Sequence, residues 1–230
     1  MMFGSEGRPG QGEMKRRLAP ASRAVFLHGA DARPSDGDPF AVFEEKRSSA
    51  VAGVAFPTEN SRSDAACGRA LDIAAESFLE RPSDSDLAVH MIGEFIDDSI
   101  AELQEPGREF MCSLAMLYIF KGKARLYPVG YSAVLFFEEG DLKEIVYGDG
   151  VPAGKGSHET MELTETLELD ADCRFVFIAG QSEGSVREAA AYFKESKGED
   201  AEGCEEYISG RHLAYVNLYL PKREKRGLLR

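Results

Sequence analysis

The hydrophobic pattern of the chain is strand-like at both ends and helical between them. Three early runs rich in β-branched and aromatic residues have the length of strands and lie at 23–29, 40–45 and 49–56. From residue 111 onward, further short apolar runs follow one another and are separated only by turns such as Lys121-Gly122-Lys123. Strands joined this closely predict an antiparallel meander, because parallel strands need long crossover connections. The later runs lie at 111–120, 124–130, 132–140, 143–148, 160–169, 174–180 and 212–221.

Two amphipathic helices are predicted between the early and late strands. The first spans 64–80, with Ser63 as its N-cap and an apolar face at helical spacing: Ala66, Ala70, Ile73, Ala74 and Phe78. The second spans about 84–104, and the face we expect it to bury consists of Leu87, Met91, Phe95, Ile96, Ile100 and Leu103. A third helix is predicted near 186–197, followed by an acidic loop at 198–206.

The domain organisation follows from length and composition. A chain of 230 residues that is 43% hydrophobic is long enough for one well-buried core, and its length favours a single domain. Residues 1–21 are rich in glycine, proline and charge without periodicity, which predicts a disordered leader. We assign the domain to 22–221 and a basic tail to 222–230. This tail is either a solvated terminus or an arm that docks within the molecule or on a partner.

Charge and cysteine usage narrow the class of protein. A net charge of −13 and a pI near 4.9 argue against nucleic acid and against anionic membranes as partners. No apolar run approaches 18 residues and no apolar signal region begins the chain, so the expected location is cytoplasmic. The four cysteines are scattered along the chain and include no C-x-x-C pair. We interpret them as buried cysteines of a protein from a reducing compartment.

One short motif indicates nucleophilic catalysis. Gly180-Gln181-Ser182-Glu183-Gly184 fits the G-x-S-x-G elbow of serine hydrolases, after a predicted strand and before a predicted helix. The elbow needs parallel strands alternating with helices before it, whereas a meander precedes Ser182 here. Asp200 and His212 follow in the required order, but the 48 residues after Ser182 leave no room for the strands that would carry them.

Other motifs give weaker indications. The glycine-rich segment 148–158 lacks the G-x-x-x-x-G-K-[ST] spacing of a phosphate-binding loop, so we interpret it as a mobile loop. The four histidines show no H-x-x-x-H pair, which argues against a zinc-hydrolase helix.

The order of elements from about 23 to 220 resembles the metal-dependent protein phosphatase family, also called PPM or type 2C-like. Arg33 precedes Asp36-Gly37-Asp38 and a strand, the next strand ends at Phe56 before the 64–80 helix, and Gly180-Gln181-Ser182 follows a late apolar strand. The segments corresponding to the family's other motifs are Met111-Cys112-Ser113, Gly130-Tyr131-Ser132 and Arg211-His212. The resemblance implies an α+β fold in which two antiparallel sheets form a four-layer sandwich with flanking helices.

The same resemblance sets the functional expectation. Family members use two divalent cations to activate water, and such cations need several carboxylate ligands. The aligned positions hold Phe56, Gln181 and Arg211, which suggests a degenerate metal site in which Asp38 and, beside it, Asp36 are the weak metal candidates. Arg33 aligns with a phosphate-binding arginine, with an ordinary surface arginine as the alternative.

The favoured hypothesis is a pseudophosphatase without a cofactor, which binds a protein partner in bacterial-type signalling. The first alternative is an active serine/threonine phosphatase that uses Mn²⁺ or Mg²⁺ at a rearranged site. The second alternative is a serine hydrolase with Ser182 as the nucleophile.

Overall fold

The structure, a computed structural model, describes residues 25–30, 41–58, 64–107, 109–156, 166–169, 171–197, 201–208 and 211–220. The predicted leader 1–21, the basic tail 222–230 and the predicted N-cap Ser63 lie outside these residues. The side chains of 25–30 are likewise not described.

Ten strands and four helices form the described fold. The strands are β1 Val25–Ala30, β2 Ala41–Lys46, β3 Ser49–Pro57, β4 Cys112–Phe120, β5 Lys123–Val129, β6 Ser132–Glu138, β7 Asp141–Tyr147, β8 Leu167–Glu168, β9 Cys173–Gly180 and β10 Leu213–Leu220. The helices are α1 Asp64–Glu80, α2 Asp86–Ala101, α3 Glu183–Ser196 and α4 Ala201–Ile208.

The strands form two antiparallel sheets that face each other. Sheet 1 has the order β1-β10-β9-β6-β7, and sheet 2 has the order β2-β3-β4-β5-β8. One hydrophobic cluster lies between the sheets, a second joins sheet 2 to α1 and α2, and a third joins sheet 1 to α3 and α4. The predicted four-layer α+β sandwich is confirmed.

The layering explains why the central strands have apolar residues on both faces. In β3 and β4 all but the last residue are buried, because one face meets sheet 1 and the other meets the helices. A strand covered on both faces reads as a continuous apolar run rather than as an alternating one. Cys67, Cys112 and Cys173 are buried, as expected, and none of these three takes part in a disulfide bond.

The prediction for α1 is confirmed except that Ile73 is only partly buried, whereas the buried face predicted for α2 is wrong in part. Ala66, Ala70, Ala74 and Phe78 of α1 are at most 1% exposed. In α2 the buried residues are Val89, Ile92, Gly93, Ile96 and Ile100. Leu87, Met91 and Phe95 are instead 70%, 43% and 46% exposed. α2 carries two apolar stripes at helical spacing, and periodicity alone does not tell which of them faces the sheet.

Three smaller predictions differ from the structure. Helix α4 occupies most of the predicted acidic loop 198–206. The predicted strand 160–169 contains only the two-residue β8 within the described residues. Residues 148–156, interpreted from sequence as a mobile loop, are held to β4 by reciprocal backbone hydrogen bonds between Cys112 and Ala153, and to α2 by the Gly154 N–H, which donates to Asp97 Oδ1 at 2.6 Å. In the described part of the chain, no helix is both long enough and apolar enough to cross a membrane.

Candidate functional site

One end of the sandwich collects the segments that the sequence singled out. Strands β1, β3, β5, β7 and β9 end there, and β2, β4, β6 and β10 begin there, as the antiparallel register requires. We call this end the upper edge and the opposite end the lower edge. Phe56, Ser113, Gly130, Gln181 and Arg211 all lie at or just beyond strand ends of the upper edge.

Ser113 links the two sheets at this edge. Its fully buried hydroxyl donates to the Gly180 carbonyl oxygen at 3.1 Å and accepts from the Tyr131 N–H at 3.1 Å. The Gly180 N–H donates in turn to the Tyr131 carbonyl oxygen at 3.0 Å. The start of β4, the β5–β6 turn and the end of β9 are therefore fastened together by one closed set of hydrogen bonds, which rigidifies a buried polar site when every member is satisfied.

Asp149 holds the β5–β6 turn from the other side. Its Oδ1 accepts from the Gly130 N–H at 3.1 Å and from the Val151 N–H at 3.0 Å. Gly130 has φ +69°, and a Cβ there would lie 3.0 Å from the Pro152 Cα and 3.1 Å from Ser113 Oγ. The positive φ favours glycine here, and a Cβ would be tight against its neighbours. Asp149 accepts two backbone N–H groups and organises the turn.

Phe56 lies in the core between the sheets. It is 3% exposed and belongs to the cluster formed by both inner faces. Its register partner is Ser113, so the two side chains leave their neighbouring strands on the same side of sheet 2. At the position where the resemblance implies a metal-ligating carboxylate, the chain has an aromatic ring that contributes to packing.

Gln181 and Ser182 connect β9 to α3. Ser182 is the N-cap of α3: its Oγ accepts from the Ser185 N–H at 3.4 Å and lies 3.0 Å from Ser185 Oγ. This is the ordinary stabilisation of a helix start by a serine. The described strands before it pair antiparallel, so the parallel context of a nucleophile elbow is not formed around Ser182. Gln181 is half-buried and offers a neutral amide.

Arg211 lies at the upper edge, and its side chain contacts the helices of sheet 1. Its Nη1 is 3.7 Å from Glu188 Oε2 of α3, and its guanidinium lies 4.3 Å from the ring centroid of Tyr207 in α4. The next residue, His212, is exposed and has φ +52°. Arg211 therefore joins β10 to the α3–α4 layer.

The described residues at the upper edge do not fit a two-metal centre. Mn²⁺ and Mg²⁺ need several oxygen ligands, mainly carboxylates, to offset four positive charges. Phe56 has no donor atom, and Arg211 adds positive charge. Asp149 contributes one carboxylate, and its Oδ1 already accepts hydrogen bonds from two backbone N–H groups. Across the described ranges, no group of three or more histidine, cysteine, aspartate or glutamate side chains could hold a metal ion.

Arg33, Asp36 and Asp38 lie outside the described residues, so their predicted roles stay predictions. The described strands on either side of them, β1 and β2, end and begin at the upper edge. Sequence reasoning missed Asp149 as an organising residue. Its only signal was the Gly148-Asp149-Gly150 turn, in which an aspartate accepts a hydrogen bond from the N–H two residues later.

Comparison with solved structures identifies the fold. A bacterial serine phosphatase is 9% identical over 89% of this chain and 99% of that one, with a TM-score of 0.65. The catalytic domain of the serine/threonine protein phosphatase PstP, in complex with two manganese ions, is 12% identical over 87% and 99%, with a TM-score of 0.60. A structure of the bacterial stressosome, described as a modular system adapted to control secondary messenger signalling, is 10% identical over 86% and 98%, with a TM-score of 0.55.

No protein-family model matches the chain, and no curated protein matches its sequence. The likeness to solved structures nevertheless shows that the chain has the fold of the PPM-type serine/threonine phosphatases. At these identities the likeness concerns the fold.

Proposed function

We propose that this chain is a pseudophosphatase, a PPM-type domain that has lost catalysis and serves as a protein-binding regulatory domain in signalling. The observation that carries the proposal is the position of Phe56, which is buried between the sheets where the resemblance implies a carboxylate ligand. Restoring a ligand there would place a charge in the core next to Ser113, at the cost of burying an unpaired carboxylate.

Arg211, a second degenerate position, and the Ser113 hydrogen bonds support the same proposal. Arg211 is paired with Glu188 and stacked on Tyr207, so its side chain has a structural role on the outer side of sheet 1. The Ser113 hydrogen bonds fasten the upper edge through groups of the chain itself. The stressosome structure, whose system controls secondary messenger signalling, supports a regulatory role. A protein partner, a bacterial source and a cytoplasmic location are parts of this proposal.

The first test measures metal binding and turnover together. Mn²⁺ and Mg²⁺ are titrated calorimetrically into the metal-stripped chain, and hydrolysis of p-nitrophenyl phosphate and of a phosphothreonine peptide is followed in parallel, with an active PPM phosphatase as the positive control. We expect no binding of two ions at micromolar concentration and no turnover.

Micromolar binding of two ions with turnover would replace the proposal with the active-phosphatase alternative. The matched variants are Asp38→Asn, which removes the weak metal candidate, and Asp141→Asn, which removes an exposed carboxylate at the lower edge. Turnover that Asp38→Asn abolishes and Asp141→Asn preserves would place the active site at the upper edge. Labelling by a fluorophosphonate that is lost in Ser182→Ala would instead support a serine hydrolase, and we expect no labelling.

A further inference from the structure

The outer face of α2 carries three exposed apolar side chains in a row. Leu87, Met91 and Phe95 lie four residues apart, so they stand one above the other on the same side of the helix. We call them the α2 stripe. Within the described residues, Tyr147 is the only other large hydrophobic residue that is exposed. The inner face of α2 is already fully used against sheet 2 and α1, so the stripe is surplus to the packing of the domain. A contiguous exposed apolar row marks an interaction site more often than scattered apolar residues do.

The α2 stripe lies in an acidic surface. Glu94 and Asp98 are exposed on the same side of α2. The neighbouring helix α1 exposes further carboxylates and one arginine: Asp72, Glu76, Glu80 and Arg69. The arginine lies 4.0 Å from Glu102. The complementary ligand is therefore a segment with apolar anchors and an excess of basic residues.

We propose that the α2 stripe is the docking site of the basic tail of this same chain, residues 222–230. The tail has the sequence KREKRGLLR, which contains five basic residues and one glutamate. Its paired leucines, Leu228 and Leu229, supply apolar side chains for the Leu87 end of the stripe, and its positive charge is attracted to the exposed carboxylates of α1 and α2. The acidic domain and its basic tail thus attract each other within one molecule.

The path from the domain to the stripe is short enough. Strand β10 ends at Leu220 on the lower edge, opposite the start of β9 at Cys173. Helix α2 also begins at the lower edge, because Arg125 Nη2 of β5 lies 2.6 Å from Asp86 Oδ1. The stripe begins one residue later. Facing sheets lie about 10 Å apart, the axis of a covering helix lies about 10 Å further out, and the outer face of that helix adds about 5 Å, so the extended tail reaches the Leu87 end of the stripe. The eight or nine residues from Leu220 to the two leucines span up to roughly 26–32 Å when extended.

Two other occupants are disfavoured by charge. A second copy would bring Glu94 and Asp98 against the same acidic face, and two chains of net charge −13 repel each other. An anionic membrane would be repelled for the same reason. The tail, in contrast, is tethered to the domain, which gives it a local concentration in the millimolar range for a short flexible connection, so a weak contact suffices. This proposal does not depend on whether the chain hydrolyses phosphoesters.

The test uses the full chain labelled with ¹³C at the methionine methyl groups. Met91 reports on the stripe, and Met116, which is fully buried, reports on the fold. The Met91 signal is assigned with Met91→Leu. In the tail variant, Lys222, Arg223, Lys225 and Arg226 are changed to glutamate, and Leu228 and Leu229 to serine. We expect the Met91 methyl signal to shift while the Met116 signal stays in place. Glu94→Lys with Asp98→Lys, and 0.5 M NaCl on the original chain, should shift Met91 in the same direction.

The control variant changes the net charge by the same amount at other places. It replaces four exposed lysines with glutamate: Lys121, Lys143, Lys194 and Lys197. We expect it to leave the Met91 signal unchanged. A Met91 signal that is the same in the original chain and in the tail variant would overturn the proposal. A signal that depends on protein concentration would also overturn it, in favour of a second copy.

Discussion

The two helical layers of the sandwich cover their outer aromatic and apolar residues differently. On sheet 1, Tyr192 of α3 stacks on Tyr207 of α4 with ring centroids 3.9 Å apart, and Arg211 lies over the same tyrosine. On sheet 2, the α2 stripe has no such cover within the described residues. A short additional helix and one arginine thus complete the first layer. The outward-facing apolar residues of a helix contribute to the packing of the domain only where a neighbouring element covers them.

The inner side of α2 shows that this helix is nevertheless firmly seated. Gly93 faces the Tyr127 ring of β5 so closely that a Cβ at this position would overlap the phenol oxygen. Burial raises the pKa of the Tyr127 phenol, and the carboxylates of Asp97, Asp149 and Glu94 raise it further. The phenol therefore stays protonated and neutral at physiological pH. The exposed stripe is not a sign of a loosely attached helix.

The largest loss of stability is expected from a substitution in the helical layer on sheet 1, where the aromatic residues are covered. Phe193 of α3 is fully buried and stacks on Tyr215, with centroids 5.2 Å apart. Phe193→Ala should lower the free energy of unfolding by about 3–5 kcal/mol, because the lost burial leaves a cavity. Urea denaturation measures this change. A loss below about 1 kcal/mol, which is the size expected of an ordinary substitution, would show that this layer is not a closed core.

A middle-sized effect is expected on the inner side of α2. Alanine is a better helix former than glycine, yet Gly93→Ala should destabilise the protein by about 2 kcal/mol, because the new methyl group overlaps the Tyr127 phenol. Tyr127→Phe removes the overlapping oxygen and should recover part of the loss, which a double-mutant cycle measures.

Gly184 of α3 is the matched control, because a Cβ there would meet nothing within 4 Å. Gly184→Ala should be neutral or slightly stabilising. If Gly93→Ala behaved in the same way, the close seating of α2 on sheet 2 would be refuted.

Much of the fold could be predicted from the sequence, because the strands and helices follow from local patterns of apolar and polar residues. Helix α1 spans 64–80 as predicted, and the predicted strand runs match the observed strands to within two residues at each end except at β8. The buried side of α2 could not be predicted, because both of its apolar stripes have helical spacing. The choice between them is made by the close approach of Gly93 to Tyr127, which is a long-range contact. Helix α4 was not predicted, because its acidic residues suggested a loop. Its Tyr207 stacks on Tyr192 of α3, a contact that the sequence does not show.

The segments that the sequence singled out meet at the upper edge, whereas the hydrogen bonds that fasten them together could not be predicted. The segments that end at the upper edge were found from their order along the chain, and Phe56 and Arg211 were identified there as residues that do not bind cations. That the Ser113 hydroxyl would link Gly180 to Tyr131 could not be read from the sequence, because the three residues belong to different strands and turns. The sequence around a serine between apolar residues does not show which carbonyl oxygen will accept its hydrogen bond.

The smallest effect is expected on the α2 stripe, and it separates the two layers most directly. Phe95→Ser changes the same residue type as Phe193→Ala, but the side chain is 46% exposed, so the free energy of unfolding should fall by no more than about 0.5 kcal/mol. Whatever loss is measured belongs to the tail contact if the tail docks here. The loss should therefore disappear when Phe95→Ser is made in the tail variant with reversed charges. A loss of about 2 kcal/mol that persists in that variant would mean that another element covers Phe95 in the native state, and the contrast between the two helical layers would no longer hold.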